Sequence, residues 1–127
     1  MDQYLRNKIE DAQRFHQKGQ LDLARKAYKK ILEKYPQDFN STNLLGALEI
    51  QCGNFRLATF LLSKAITINP NIASCYNNLS IALIELEELE GALERLDEAI
   101  YLDPNLVDAY NNKANILFKL KKYDEAL

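Results

Sequence analysis

Tryptophan is absent from this chain of 127 residues, and histidine and methionine occur once each. The two cysteines, Cys52 and Cys75, form no C-x-x-C pair. Two thiols and one imidazole cannot complete a four-ligand zinc site unaided, so no metal is expected and both thiols read as reduced. Excess positive charge is missing too: sixteen Lys and Arg face eighteen Asp and Glu, for a net charge of -2. Phosphate neutralisation supplies most nucleic-acid affinity, so no nucleic acid is expected as partner. No apolar run approaches the ~18–20 residues of a membrane span. The start, Met1-Asp2-Gln3-Tyr4, lacks the apolar stretch of a secretory signal. These absences predict a cytoplasmic protein with no membrane partner. No P-loop, G-x-S-x-G or H-E-x-x-H motif occurs, so neither catalysis nor a cofactor is expected.

Glycine and proline are scarce at four and three residues, and the apolar share is 47%, a composition of ordered structure. The scarce residues are regularly placed. Pro36, Pro70 and Pro104 lie 34 residues apart, and Ala24, Ala58, Ala92 and Ala126 keep the same interval. So do Gly19 with Gly53, Tyr76 with Tyr110, and Asn43 with Asn77 and Asn111. An internal repeat of this length is a two-helix unit. Leu57, Ala58, Leu61, Leu62, Ala65 and Ile66 recur at helical spacing, and no stretch alternates with period two. The chain is therefore expected to be all-α. Predicted helices span 3–18, 22–35, 39–52, 55–69, 73–86, 89–103, 107–120 and 123 onward. Gly19 and Gly53 stand where a first helix should end in a left-handed residue, with Glu87 and Lys121 in the equivalent places. Asp38, Asn71 and Asn105 stand where an N-cap is wanted.

Framed as 5–38, 39–72, 73–106 and a partial 107–127, the repeats resemble the tetratricopeptide family. Small residues occupy the eighth position (Ala12, Gly46, Ser80, Ala114) and alanine the twentieth (Ala24, Ala58, Ala92, Ala126). Ala65 and Ala99 fill the twenty-seventh, where Ile31 departs. The aromatic fourth position holds Tyr76 and Tyr110, while Lys8 and Thr42 depart. The resemblance implies a right-handed α-solenoid of antiparallel helix pairs, about three and a half repeats long. The stretch from Phe15 to Ala47 is similar, more narrowly, to the N-terminal repeats of large bacterial proteins carrying glycosyltransferase or sulfotransferase domains. The chain is thus expected to be the N-terminal segment of a longer protein, whose uncapped C-terminal end could self-associate.

The resemblance also implies a concave groove lined by the first helices. Its candidate ligand-binding residues are Asn43, Asn77, Asn78, Ile81, Ile84, Asn111, Asn112, Asn115 and Phe118. An asparagine side chain both donates and accepts, so it can pair with a peptide backbone whatever its sequence. Asn78 and Asn112 occupy the sixth position, like the asparagine ladder of O-GlcNAc transferase repeats, and Leu44 and Glu10 interrupt the series. The carboxylate clamp of chaperone adaptors is not matched: its positions hold Asn43, Ala47, Asn78, Asp108 and Asn112, of which Asn78 alone fits. A protein or peptide is the expected partner, bound by a scaffold. Two alternatives are a substrate-recruiting arm of a larger transferase and a structural self-association segment. Charge is uneven along the chain: residues 1–38 hold nine basic and six acidic residues, and residues 73–106 one basic and eight acidic.

Overall fold

The computed structural model describes residues 2–126. Met1, taken as the start of the segment, and Leu127, the last residue of the partial fourth repeat, lie outside the described residues. Among the described residues seven helices follow one another: α1 (Gln3–Gln17), α2 (Leu21–Lys34), α3 (Phe39–Gln51), α4 (Phe55–Ile68), α5 (Ala73–Glu85), α6 (Leu89–Leu102) and α7 (Val107–Ala126). No strand occurs among the described residues, and none of their helices is long and apolar enough to cross a membrane.

Consecutive helices pack against each other throughout. The first helices also touch along the array, α1 on α3, α3 on α5 and α5 on α7, whereas α2, α4 and α6 make no mutual contacts. One row is therefore packed and the other splayed, so the array curves with α1, α3, α5 and α7 on its inner side. Small side chains permit the close pairing: Ala12, Ser80, Ala24, Ala58, Ala92, Ala65 and Ala99 are fully buried. At Gly46 even a methyl group would not fit, because an added Cβ would lie 2.7 Å from Leu62 Cγ. Ala114, the small residue at the same register of α7, is exposed.

The turns follow from the left-handed positions. Gly19 and Gly53 have φ of 75° and 81°, and Glu87 is a non-glycine at 60°. Gln20, Asn54 and Glu88 each donate a backbone N–H back to Phe15, Glu49 and Leu83, closing the helix ends at 2.8–2.9 Å. Glu87 accepts the unfavourable φ because Leu89, Ala92, Leu96 and Ala99 of the following helix fold back into the core. Lys121, at the same register of α7, does not. The predicted break there and the separate helix from 123 are absent: α7 runs unbroken to Ala126. Residues 121–126 are mostly good helix formers, so extending the ladder is easier than adopting a left-handed turn.

Of the three expected N-caps, only Asp38 serves, accepting from the Ser41 N–H at 2.8 Å. Asn71 and Asn105 instead donate their own N–H groups to Asn69 Oδ1 and Asp103 Oδ1 in the preceding turns. They stand one residue too early, since the α5 N-cap is Ile72. The tyrosines divide between core and surface. Tyr28 and Tyr76 are buried, but Tyr4, Tyr101, Tyr110 and Tyr123 are exposed.

Candidate functional site

The groove residues sit on the inner row of helices. On α5, Asn77 is buried and Asn78 half-buried; on α7, Asn112 is half-buried and Asn111 exposed. Asn112 Nδ2 donates to Asn77 Oδ1 at 2.9 Å, locking α7 onto α5. The corresponding pair one repeat earlier is Asn78 with Asn43, and no such bond joins them. Asn43 Oδ1 is buried without a hydrogen-bond partner among the described residues. Such an acceptor is costly to leave unpaired, by about 1–3 kcal/mol. Ile81 is half-buried along the same line, Asn115 is exposed and Phe118 is 60% exposed. Ile84 lies elsewhere: it is 4% exposed and belongs to the core shared by α4 to α7.

A cleft of about 230 Å³ continues the groove between α1 and α3, lined by Gln13, His16, Gln17, Tyr28 and Leu44. His16 is held at both ring nitrogens. Nδ1 is 3.2 Å from the Tyr28 hydroxyl and Nε2 is 3.0 Å from Gln51 Oε1. An imidazole protonated on Nε2 donates to Gln51 and accepts from Tyr28. Burial pushes the Tyr28 hydroxyl up to about 12, so it stays a donor at neutral pH. His16 therefore fastens α1 to both α2 and α3. The 34-residue frame carried the signal for this cleft, since Gln13, His16 and Gln17 hold the register of Ala47, Ile50 and Gln51 one repeat on.

Behind the groove lies a buried ion pair. Glu49 is fully buried on α3, where Phe15, Leu83 and Leu117 occupy the equivalent positions of the other repeats. Arg25 of α2 donates through Nη2 to Glu49 Oε1 at 2.9 Å and through Nε to Oε2 at 3.0 Å. Asn54 Nδ2 donates to Oε1 at 2.9 Å, and Arg25 also reaches Cys52 Sγ at 3.2 Å. The Arg25 hydrogen bonds hold the Glu49 carboxyl below the ordinary carboxylate range, outweighing the opposing effect of burial. Cys75 is different: burial pushes its thiol up to about 12, and it makes a long contact to the Leu62 carbonyl at 3.7 Å.

With the paired helices and the inner groove in place, comparison with known proteins gives a consistent result. The family model described as TPR repeat matches residues 82–121. The first tetratricopeptide domain of Spaghetti (RPAP3), bound to the HSP90 peptide SRMEEVD, superposes with a TM-score of 0.91 over 95% of this chain and 96% of that one. The chain has the fold of a tetratricopeptide array. The array is also similar to an O-GlcNAc transferase variant from Thermobaculum terrenum, at 26% identity and a TM-score of 0.85. That alignment covers 89% of this chain but only 22% of the transferase. MamA matches with 25% identity and a TM-score of 0.86, over 99% of this chain and 69% of that one. Identity to the Spaghetti domain is 21%, so that likeness speaks for the fold alone. A search of curated proteins returns no match.

Proposed function

We propose that this repeat array is a protein-interaction scaffold that holds an extended segment of a partner along its inner groove. The observation that carries the reading is the half-buried Asn78, which stands with the half-buried Asn112 and Ile81 on the inner helices α5 and α7. An asparagine amide in that setting can both donate to and accept from a backbone peptide group of an extended ligand. Ile81 and Phe118 add apolar contact, and the Gln13–His16–Leu44 cleft supplies a recess for a side chain. The Spaghetti domain holds a peptide on the same fold. The present groove lacks the basic residues of a carboxylate clamp, with Asp108 and Asn112 in their place, so an acidic chain terminus is not its natural ligand.

Peptides selected from a random display library on the wild-type array provide the test. Asn78→Ala combined with Asn112→Ala should weaken such peptides about tenfold, on the scale of two lost hydrogen bonds. Circular dichroism should report an intact helical array. Unchanged affinity would remove the asparagine row from the mechanism. Asn78→Ala alone is the cleaner variant, because Asn112 also satisfies Asn77.

The similarity to the Thermobaculum transferase supports a second reading, in which the array recruits substrates for a catalytic domain elsewhere in a longer chain. Sequencing the native transcript decides between them. A transferase domain in the same open reading frame supports recruitment, and its absence leaves the scaffold.

A further inference from the structure

A second concavity, of about 160 Å³, lies away from the groove between α1 and α2. Its floor is apolar, with Phe15 and Ile31, and Tyr4 and Tyr35 stand at its edge. Three lysines, Lys8, Lys30 and Lys34, also line it. None of them pairs with a carboxylate among the described residues, and the one acid in the lining, Asp11, is taken by Arg14 at 3.0 Å. The Lys34 ammonium stands 4.3 Å from the centroid of the Tyr4 ring, with Lys8 at 5.5 Å from the same ring. The aromatic face thus gathers two cations at one edge of the concavity.

This face is built differently from its counterparts. In the next two repeats the register of Asp11 is filled by Leu45 and Leu79, both buried against neighbouring helices. The register of Lys34 is filled by Ile68 and Leu102. Where inner repeats present an apolar surface to the preceding pair, α1 and α2 present charge around a small apolar hole. Such a surface does not suit another repeat. The volume matches one aromatic or branched aliphatic side chain, since a cavity of ~150 Å³ accommodates benzene. The surrounding charge selects what flanks that side chain.

We propose that this cleft is a second binding site, taking an acidic segment of a partner protein that inserts one aromatic or branched apolar side chain over Phe15 and Ile31 while its carboxylates pair with Lys8, Lys30 and Lys34. The site is independent of the inner groove and lies on a separate face of the array. A single ligand with two suitable stretches could therefore engage both.

The test uses a fluorescent hexapeptide of Asp and Glu with one central Phe, titrated by anisotropy against the whole chain. Saturable binding is expected, weakened at least tenfold by Lys30→Glu with Lys34→Glu and similarly when the peptide's Phe is replaced by Ala. Lys30→Ala with Lys34→Ala repeats the measurement without reversing charge, should the first variant be poorly folded. Asn78→Ala with Asn112→Ala should leave this affinity unchanged. Three results would overturn the proposal: no saturable binding, binding indifferent to the lysine variants, or loss of binding in the asparagine variant. Sedimentation adds a fourth. If the chain self-associates, the lysine variants abolish that association and the peptide does not compete, the occupant is a second copy.

Discussion

At the residue scale, the least expected side chain is Glu49. It breaks the apolar register kept by Phe15, Leu83 and Leu117, and its charge is met by Arg25, where Thr59 and Leu93 stand in later repeats. Repeat patterns record size better than charge, so the 34-residue frame marks Glu49 as irregular without revealing its partner across α2. Its folded carboxyl is depressed below the usual value. The stabilisation is therefore present above the ordinary glutamate range, about 4.3, and is lost as pH falls from there through the folded value. Glu49→Gln should cost about 3 kcal/mol in urea unfolding at pH 7, near the lower end for a broken buried pair, because Arg25 still reaches water and Asp22. The variant should also show a flatter acid limb than wild type; an identical limb would mean that other carboxylates set it. Replacing both partners, Arg25→Met with Glu49→Leu, should restore most of the loss. Gly46 gives the opposite kind of test. Gly46→Ala gains about 1 kcal/mol of helix propensity, but the new methyl meets the fully buried Leu62. Overpacking costs ~1–3 kcal/mol, so a net loss of about 1 kcal/mol is expected by thermal unfolding.

At the element scale, most helix ends were legible because their causes are local. Gly19 and Gly53 end α1 and α3 through backbone geometry that glycine allows, and proline follows α2, α4 and α6 within two residues. The end of α7 was not legible, because Glu87 and Lys121 look alike in sequence. What separates them is whether a following helix packs back strongly enough to hold a left-handed residue. Glu87→Gly should therefore stabilise the array by about 1 kcal/mol, measured as a raised urea midpoint at constant slope. No gain would place the strain elsewhere. Asp38→Ala should cost ~1 kcal/mol by the same measurement, whereas Asn71→Ala and Asn105→Ala, which cap nothing with their side chains, should cost little. Groove residues divide in the same way. Asn78 and Ile81 are half-buried on α5, whereas Ile84 is part of the core shared with α4, α6 and α7 and Asn77 is bonded to Asn112 of α7.

At the scale of the whole molecule, stability should be graded along the array. α5 packs against α3, α4, α6 and α7, whereas α7 is covered by α5 and α6 and buries only Ala109 and Ile116. Native-state hydrogen exchange should accordingly find the slowest amides in α5 and the fastest in α7. Equal protection across the seven helices would mean that the array opens as one unit. The two apolar cores meet on α4, where Leu61 belongs to the cluster of α1 to α3 and Leu62 to that of α5 to α7.

The outer helices α2, α4 and α6, which never touch, give the array the mechanics of a leaf spring. Flattening the curve closes the gaps between the outer helices and breaks no helix–helix contact there, and the hinges lie in the packed inner row. A ligand thicker than the resting groove can then be admitted by bending rather than by unfolding, with the restoring force pressing the inner helices back onto it. Stiffness would be set by the contacts of that inner row, α1 on α3, α3 on α5 and α5 on α7.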